Sequence, residues 1–246
     1  MMLDNDFLFV FGALLMVVAF LYSSVGHGGA SGYLALMIIF AFPISIIKPS
    51  ALLLNLFVSG ISFFFYYRKN FFKAKLFYPF ALTSVPAAFI GGMIPIENRI
   101  YKIVLAFVLI LAAMRLFGFF NSKEKESVGL NIPLAMAIGL AIGFLSGMLG
   151  IGGGVILSPI ILLLGWTTLK ETAAISSLFI LVNSISGLLG FFATGKKFPD
   201  ESFYLIPIAV FGGILGAYYG SSRFSNKTLK YVLATVILLA SVKLVF

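Results

Sequence analysis

The chain has 246 residues, of which 61% are hydrophobic and only 10% are charged, and its mean hydropathy is +1.12. Soluble domains are about 45–50% apolar and about 25% charged, so this composition excludes a soluble globular enzyme and a disordered chain. The absence of cysteine excludes disulfides, thiolate metal sites and cysteine nucleophiles. The net charge of +9 is better explained by the basic loops of a membrane protein than by nucleic-acid binding. We expect neither a nucleic-acid partner nor a cofactor.

Apolar runs follow one another along the whole chain. They are continuous rather than alternating, which indicates membrane helices and not a barrel. A helix needs about 20 residues to cross the bilayer, so this length allows roughly eight to ten helices in an all-α polytopic membrane protein. The runs at 30–42 and 154–165 are too short to cross as straight helices. The predicted runs are 7–25, 30–42, 50–66, 76–94, 100–119, 131–149, 154–165, 172–194, 203–220 and 228–246.

The chain contains an internal repeat. The sequence GHGGA at 26–30 matches GIGGG at 150–154, at an offset of 124 residues. The stretch 98–116 matches 226–244, with nine of 19 positions identical, and the stretch 51–57 aligns with 173–179 at an offset of 122. We therefore predict two homologous transmembrane halves, 1–120 and 132–246, joined by a polar cytoplasmic linker over 121–131 within one structural domain.

The basic residues indicate how the two halves are oriented. If all ten runs cross, the second half is inverted, and Lys and Arg divide 11 to six between the two faces. If the short runs do not cross, the halves are parallel and the division is ten to seven. The inverted arrangement obeys the positive-inside rule better. We therefore predict inverted repeats, which are common in transporters and place the substrate site near the midplane, where broken helices meet.

The two glycine clusters mark the candidate site. Each precedes a short helix, whose N-terminus presents unpaired N–H groups and about half a positive charge. A break of this kind in a membrane is tolerated only inside protein or beside water, and two converging N-termini can bind an anion without a basic side chain. The alternative is close helix packing through small residues. The candidate residues of the clusters are Ser24, Gly26, His27, Gly28, Gly29, Ala30, Gly150, Gly152, Gly153 and Gly154.

His27 is the only histidine of the chain, and Ile151 takes its place in the second cluster. An intramembrane histidine can bind a coupled proton or contact an anion, or it can be a neutral group bonded to a backbone carbonyl. The sequence leaves both readings open. Small polar residues also follow one face of the next helix in each half, where they can line a polar cavity or join helices by hydrogen bonds. The candidates among them are Asn55, Ser176, Ser177 and Asn183.

The second cluster carries a family resemblance. The stretch 150–154 followed by Pro159 resembles the glycine-rich signature of the sulfite exporter TauE/SafE family, also called TSUP. The stretch 24–29 resembles its N-terminal counterpart, and the duplicated plan, the size and the polar linker match over essentially the whole chain. Ala35 departs from the pattern, because it stands where the second half has Pro159. The resemblance implies export or uptake of sulfur oxyanions and organosulfonates.

We therefore expect a transporter of small sulfur-containing anions in a bacterial plasma membrane. The two helix N-termini would bind the anion, protons are a candidate coupling ion, and one half would rock against the other. An intramembrane hydrolase that uses Ser24 and His27 is the alternative from another class. The second cluster keeps its glycines without a histidine, which favours binding by backbone over chemistry by side chains. A passive anion channel is a further alternative, and the sequence leaves the substrate and the oligomeric state open.

The charge distribution predicts the topology. The linker at 121–131 and the loop at 68–75 should lie in the cytoplasm, and both termini should lie outside, because this arrangement puts 11 of the basic residues inside. Reporter fusions at the two termini and in the linker test this prediction. Termini on opposite faces, or both inside, would show that the inverted arrangement is wrong.

Overall fold

The computed structural model describes residues 5–95, 97–116, 129–198 and 201–222, together with residue 242. Across the four described segments the regular structure consists of nine α-helices, as the composition predicts. They are α1 (Asn5–Ser23), α2 (Ala30–Ile39), α3 (Ile44–Arg68), α4 (Ala74–Met93), α5 (Asn98–Leu116), α6 (Ile132–Leu149), α7 (Gly154–Leu163), α8 (Leu169–Ala193) and α9 (Glu201–Ser222). The predicted helix at 228–246, the repeat copy at 226–244 and the linker up to residue 128 lie outside the described residues.

Length and surface both identify an integral membrane protein. Within the described part, α3, α4, α6, α8 and most of α9 are long and apolar enough to cross a bilayer. Large apolar side chains point outward, with Leu82 69% and Phe107 61% exposed, which is the surface expected against lipid. The predicted short helices are confirmed, because α2 and α7 have ten residues each, about half of what a crossing requires.

The helices α3 and α8 begin earlier than the apolar runs predict, at Ile44 rather than 50 and at Leu169 rather than 172. A charged residue near the start of α8 is part of its cap and does not delay the helix. The Glu171 carboxylate accepts a hydrogen bond from the Thr168 N–H at 2.9 Å and lies 2.6 Å from Lys73 Nζ. An acidic side chain in the first helical turn stabilises the N-terminus.

The new bounds change the alignment of the two halves. Both α3 and α8 have 25 residues, so their equivalent positions lie 125 residues apart, and not 122 as the sequence alignment of this stretch suggests. Asn55 then corresponds to Ile180, and Ser59 corresponds to Ser184. The contacts agree, because Asn55 and Ile180 both touch the same two glycines, Gly28 and Gly152.

Two rows of glycines join helices that belong to different halves. On α6 and on α9 the glycines lie four residues apart, and a Cβ added to any of them would collide with a backbone carbonyl oxygen of the facing helix. Small residues at this spacing let the backbones of membrane helices approach closely. The glycines Gly139, Gly143 and Gly147 of α6 face Phe80, Ser84 and Ala88 of α4. The glycines Gly212, Gly216 and Gly220 of α9 face Met16 and Phe20 of α1 and Ser24, which directly follows α1.

These contacts also show the direction of the helices. In both glycine rows the facing residues advance together along the chain, so α4 is parallel to α6, and α1 is parallel to α9. The helices α3 and α8 are antiparallel, because Leu52 lies near Gly187 whereas Gly60 lies near Leu181. Since α3 and α8 are the third helices of the two halves, their opposite directions support the inverted arrangement. Which face is cytoplasmic stays a prediction.

The Gly143→Ala change tests the close contact between α4 and α6. The added methyl group would collide with the backbone of Ser84, and overpacking of this kind costs about 1–3 kcal/mol of unfolding free energy. Gly60→Ala is the matched control, because its methyl group would meet only Leu181 side-chain atoms at 3.8 Å or more. We expect a clear fall in the melting temperature of the detergent-solubilised protein for Gly143→Ala alone. Equal melting temperatures would contradict the contact.

Candidate functional site

Both glycine clusters form sharp turns that end one helix and begin the next. Gly26 follows α1 and Gly150 follows α6, with φ of 75° and 82°. Gly29 and Gly153 directly precede α2 and α7, with φ of 100° and 78°. This left-handed region is open to glycine and strained for residues with a side chain. We call residues 24–29 the first turn and residues 150–153 the second turn.

Each turn packs against the long helix of the opposite half. Gly26 of the first turn lies against the backbone of Ala173 at the start of α8. Gly150 of the second turn lies against the backbone of Lys48 at the start of α3, where a Cβ on Gly150 would be 3.1 Å from the Lys48 carbonyl oxygen. All residues of the second turn are buried, as are all of the first except the partly exposed Val25. The two breaks are therefore held inside the protein.

Asn55, near the middle of α3, lies between the two turns. Its Oδ1 accepts a hydrogen bond from the Ala30 N–H at 3.0 Å, so it caps the N-terminus of α2 from another helix. Its Nδ2 is buried without a hydrogen-bond partner and faces Gly152, where an added Cβ would lie 2.6 Å away. The equivalent residue of α8 is Ile180, which touches Gly28 and Gly152 with its methyl group. The space between the turns thus has one polar wall and one apolar wall.

Further buried polar atoms without a partner surround the two turns. Ser184 Oγ faces Gly152, Ser146 lies beside Gly153, and the Tyr33 hydroxyl packs against Gly29. An unpaired buried polar group costs about 1–3 kcal/mol, so such groups are rare in folded proteins unless water or a ligand satisfies them. Four of these atoms, with Asn55 Nδ2 included, lie around the turns, which makes this region the candidate site.

His27 connects the first turn to two helices of the second half. Its Nδ1 lies 2.9 Å from the Val25 carbonyl oxygen, and its Nε2 lies 2.9 Å from Ser158 Oγ on α7. The Ser158 hydroxyl in turn lies 2.7 Å from Ser176 Oγ on α8 and donates to the Gly154 carbonyl at 2.7 Å. His27 therefore does bond a backbone carbonyl, as one sequence reading expects, and it also belongs to a chain of hydroxyl groups.

The other predicted side chains donate hydrogen bonds to backbone carbonyls three or four residues earlier in the chain. Ser24 Oγ donates to the Leu21 carbonyl at 2.8 Å, Ser177 Oγ to the Ala174 carbonyl at 2.9 Å, and Asn183 Nδ2 to the Phe179 carbonyl at 2.8 Å. A hydroxyl group has a single proton, and that of Ser24 is directed to Leu21. The arrangement of Ser24 therefore does not match a nucleophile that His27 deprotonates.

Ser158, Ser184, Ser146 and Tyr33 belong to the site but are not among the residues predicted from the sequence. A signal existed for Ser184, because it repeats Ser59 at the 125-residue spacing, and both hydroxyls are buried without a partner. The spacing becomes visible only when both helix starts are known. The remaining residues are isolated polar positions in apolar helices, and only the folded chain brings them to the turns.

An apolar groove lies away from the two turns. It has a volume of about 910 Å³ and runs between α4, α6 and α8 on the outer surface, with apolar side chains such as Leu82 and Met136 along it and Lys75 at its edge. Its apolar lining is suited to lipid chains. The turns themselves are buried away from this groove, with only Val25 partly exposed.

Comparison with known proteins identifies the family. The profile of the family described as "Sulfite exporter TauE/SafE" matches residues 11–244. The chain belongs to the TauE/SafE family. It is 35% identical over 237 residues to "Probable membrane transporter protein y4hK" of Sinorhizobium fredii (strain NBRC 101917 / NGR234), a match that covers 94% of this chain and 95% of that protein.

Two proteins of Bacillus subtilis (strain 168) are also similar to this TauE/SafE chain. "Probable membrane transporter protein YdhB" is 24% identical over 234 residues, covering 92% of this chain and 93% of the relative. "Probable membrane transporter protein YunE" is 31% identical over 126 residues, a match that covers 51% of this chain and 46% of the relative. No solved structure matches the chain. The resemblance seen in the glycine clusters is confirmed, and the chain is a member of a membrane transporter family.

The Gly152→Ala change tests whether the second turn requires glycine because a methyl group does not fit there, in addition to the positive φ. Both Gly152 and Gly195 have a positive φ, of 71° and 76°, but a Cβ on Gly195 would meet nothing within 4 Å. Gly195→Ala should therefore cost only the backbone strain of about 1–2 kcal/mol. Gly152→Ala should cost about 1–3 kcal/mol more, because its methyl group would collide with Asn55. Equal losses in thermal stability would contradict this packing.

Proposed function

We propose that this TauE/SafE family member carries small sulfur-containing anions, such as sulfite or organosulfonates, across the bacterial plasma membrane and binds one anion between its two glycine turns. The observation that carries the proposal is the unpartnered Asn55 Nδ2, which is buried where the N-termini of α2 and α7 approach each other. An amide NH₂ group is a donor, and it needs an acceptor such as an anion oxygen. The family description names sulfite, which supports the choice of substrate class.

The groups around the turns suit an anion rather than a cation. Helix N-termini present backbone N–H groups and a partial positive charge. Asn55 Nδ2 and the hydroxyls of Ser184 and Ser146 can each donate one further hydrogen bond. A sulfite or sulfonate group has three oxygens around one sulfur atom, so it can accept bonds from both turns and from α3 and α8 together. Neutral donors of this kind bind an anion without holding it as tightly as a lysine or arginine would.

The contacts between helices suggest which parts move. The glycine rows join α4 to α6 and α1 to α9, so each tight pair combines helices of both sequence halves. A rocking of one half against the other would break these backbone contacts. We therefore propose that the pair α1 and α9 moves against the pair α4 and α6. The contacts of Gly26 with Ala173 and of Gly150 with Lys48 would open in turn, and each opening would expose the site to one face.

Counterflow in proteoliposomes tests the function with two matched serine variants. Ser184 and Ser177 are both fully buried on α8, but Ser184 Oγ faces the turns whereas Ser177 Oγ bonds its own helix. Ser184→Ala should weaken sulfite binding by roughly three- to tenfold, the effect of losing one neutral hydrogen bond. Ser177→Ala should leave sulfite binding unchanged.

Three outcomes would contradict the proposal. Equal sulfite affinity in Ser184→Ala and the unchanged protein would show that the site lies elsewhere. Sulfite flux that does not saturate and shows no counterflow would indicate a channel instead of a carrier. Counterflow of chloride that equals that of sulfite and methanesulfonate would show that the site does not select sulfur-containing anions.

A further inference from the structure

The hydrogen-bonded chain of His27, Ser158 and Ser176 has no polar counterpart in the other half. Offsets of 124 residues in the turns and short helices, and of 125 in the long helices, place Ile151, Leu34 and Ala51 at the equivalent positions. These three residues are fully or nearly fully buried in one apolar cluster. The place where a turn meets a short helix and a long helix therefore holds a titratable side chain at His27 and only apolar side chains in the equivalent part of the other half.

A count of protons shows that the contacts fit a charged imidazole. The Val25 carbonyl is an acceptor, so Nδ1 must carry a proton to bond it at 2.9 Å. The Ser158 hydroxyl has one proton and directs it to the Gly154 carbonyl. Nε2 then needs a proton of its own to bond Ser158 Oγ, and an imidazole with protons on both nitrogens is a cation. Ser176 completes the arrangement by donating to the second lone pair of Ser158 Oγ.

A neutral imidazole requires a different arrangement of the same atoms. If Nδ1 keeps its proton for Val25, Nε2 becomes an acceptor, and the Ser158 hydroxyl must turn away from Gly154 to donate to it. The change of charge at His27 therefore switches a hydrogen bond at the first residue of α7. This residue directly follows Gly153, where we propose that the anion binds.

We propose that His27, with Ser158 and Ser176, forms a proton-binding site that loads one proton together with each anion. The proposal rests on the proposed anion transport. His27 directly precedes Gly28, which lies against Asn55, so its imidazolium would add a positive charge beside donors that are otherwise neutral. Binding of an anion would favour the charged imidazole, and the charged imidazole would favour the anion. One proton from water is bound for each anion, and both leave when the site opens to the other face.

Two tyrosine hydroxyls lie close to the first turn. The Tyr22 hydroxyl lies 2.6 Å from Ser31 Oγ, and the Tyr66 hydroxyl donates to the Ser24 carbonyl at 3.0 Å. Tyrosine titrates near pH 10 and histidine near 6.5 in the absence of perturbation. The charged or titratable side chains on the elements packed against the turn are Tyr22 of α1, Tyr33 of α2, Lys48, Tyr66, Tyr67 and Arg68 of α3, Lys170 and Glu171 of α8, and Glu201, Tyr204, Tyr218 and Tyr219 of α9. Glu171 pairs with Lys73.

The first measurement needs no substrate and no variant. Because the chain has a single histidine, protein labelled with ¹⁵N-histidine gives the signals of one imidazole. We expect these signals to report a change from one to two ring protons between pH 8 and pH 5. Ring signals that stay in one protonation state throughout would overturn the proposal, whatever anion the protein transports.

The second measurement is proton uptake when the anion binds. Methanesulfonate is the probe, because a sulfonate stays fully ionised between pH 5 and 8, whereas sulfite itself titrates. Calorimetric titration in two buffers with different ionisation enthalpies gives the number of protons bound per methanesulfonate. We expect an uptake that is largest between the pKa of the histidine in the free protein and its pKa in the methanesulfonate complex, and that vanishes at more acid and at more alkaline pH.

Two variants assign the uptake to His27. His27→Gln keeps a polar group that can bond Ser158 but cannot titrate, so it should abolish proton uptake and weaken methanesulfonate binding at pH 5.5 by roughly tenfold, the loss of one charge-assisted interaction. Tyr66→Phe is the matched control, because it removes the other titratable group that bonds the first turn, and it should keep the uptake.

The outcomes separate this inference from the proposed function. Methanesulfonate binding without proton uptake in the unchanged protein would overturn the inference and leave anion transport standing. Uptake that persists in His27→Gln would also overturn it. A failure to bind methanesulfonate or sulfite at any pH would overturn anion transport and, with it, the coupling. If His27→Gln does not fold, the ¹⁵N titration and the uptake of the unchanged protein still decide.

Discussion

Two helices that begin in the middle of a membrane protein impose the constraint on which the rest of the structure depends. The first N–H groups of α2 and α7 have no partner within their own helices, and in a bilayer no water is available to replace one. The glycine turns that precede these helices are buried against the opposite half, and Asn55 of α3 accepts a hydrogen bond from the first N–H group of α2. The same packing that buries the turns leaves the Asn55 Nδ2 donor without a hydrogen-bond partner beside Gly152.

Positions that are equivalent in the backbone of the two halves carry different side chains. Asn55 and Ile180 occupy equivalent positions against the same glycines, yet only Asn55 can donate a hydrogen bond. His27 and Ile151 occupy equivalent positions in the two turns, yet only His27 can take up a proton. The predicted repeat gives two similar backbones, and the differing side chains leave Asn55 as the polar residue and Ile180 as the apolar residue between the turns. This arrangement suits a single small ligand better than two equivalent ones.

The helices are held together by backbone contact because lipid does not drive apolar helices together. In a bilayer an exposed leucine is as well solvated as a buried one, so association depends on close packing and on hydrogen bonds. The glycine rows of α6 and α9 provide such packing, and they join each of these helices to a helix of the other half. The helices before and after the linker are consequently interlocked, and our proposal for the motion follows these contacts rather than the order of the sequence.

The sequence by itself determined the membrane class, the short helices after glycine turns and the family. These properties follow from composition, from the length of apolar runs and from a repeated local motif, none of which depends on distant contacts. It did not determine the partner of His27, because Ser158 lies 131 residues away and carries no repeated signal. Nor did it predict that Asn55 and Ile180 face the same two glycines. Their equivalence becomes visible only when the first residues of α3 and α8 are known. Lys48 and Glu171 interrupt the apolar pattern there, so the apolar runs begin too late. Only the tertiary structure decides which polar groups are left without a partner, because a partner can come from any helix that packs nearby.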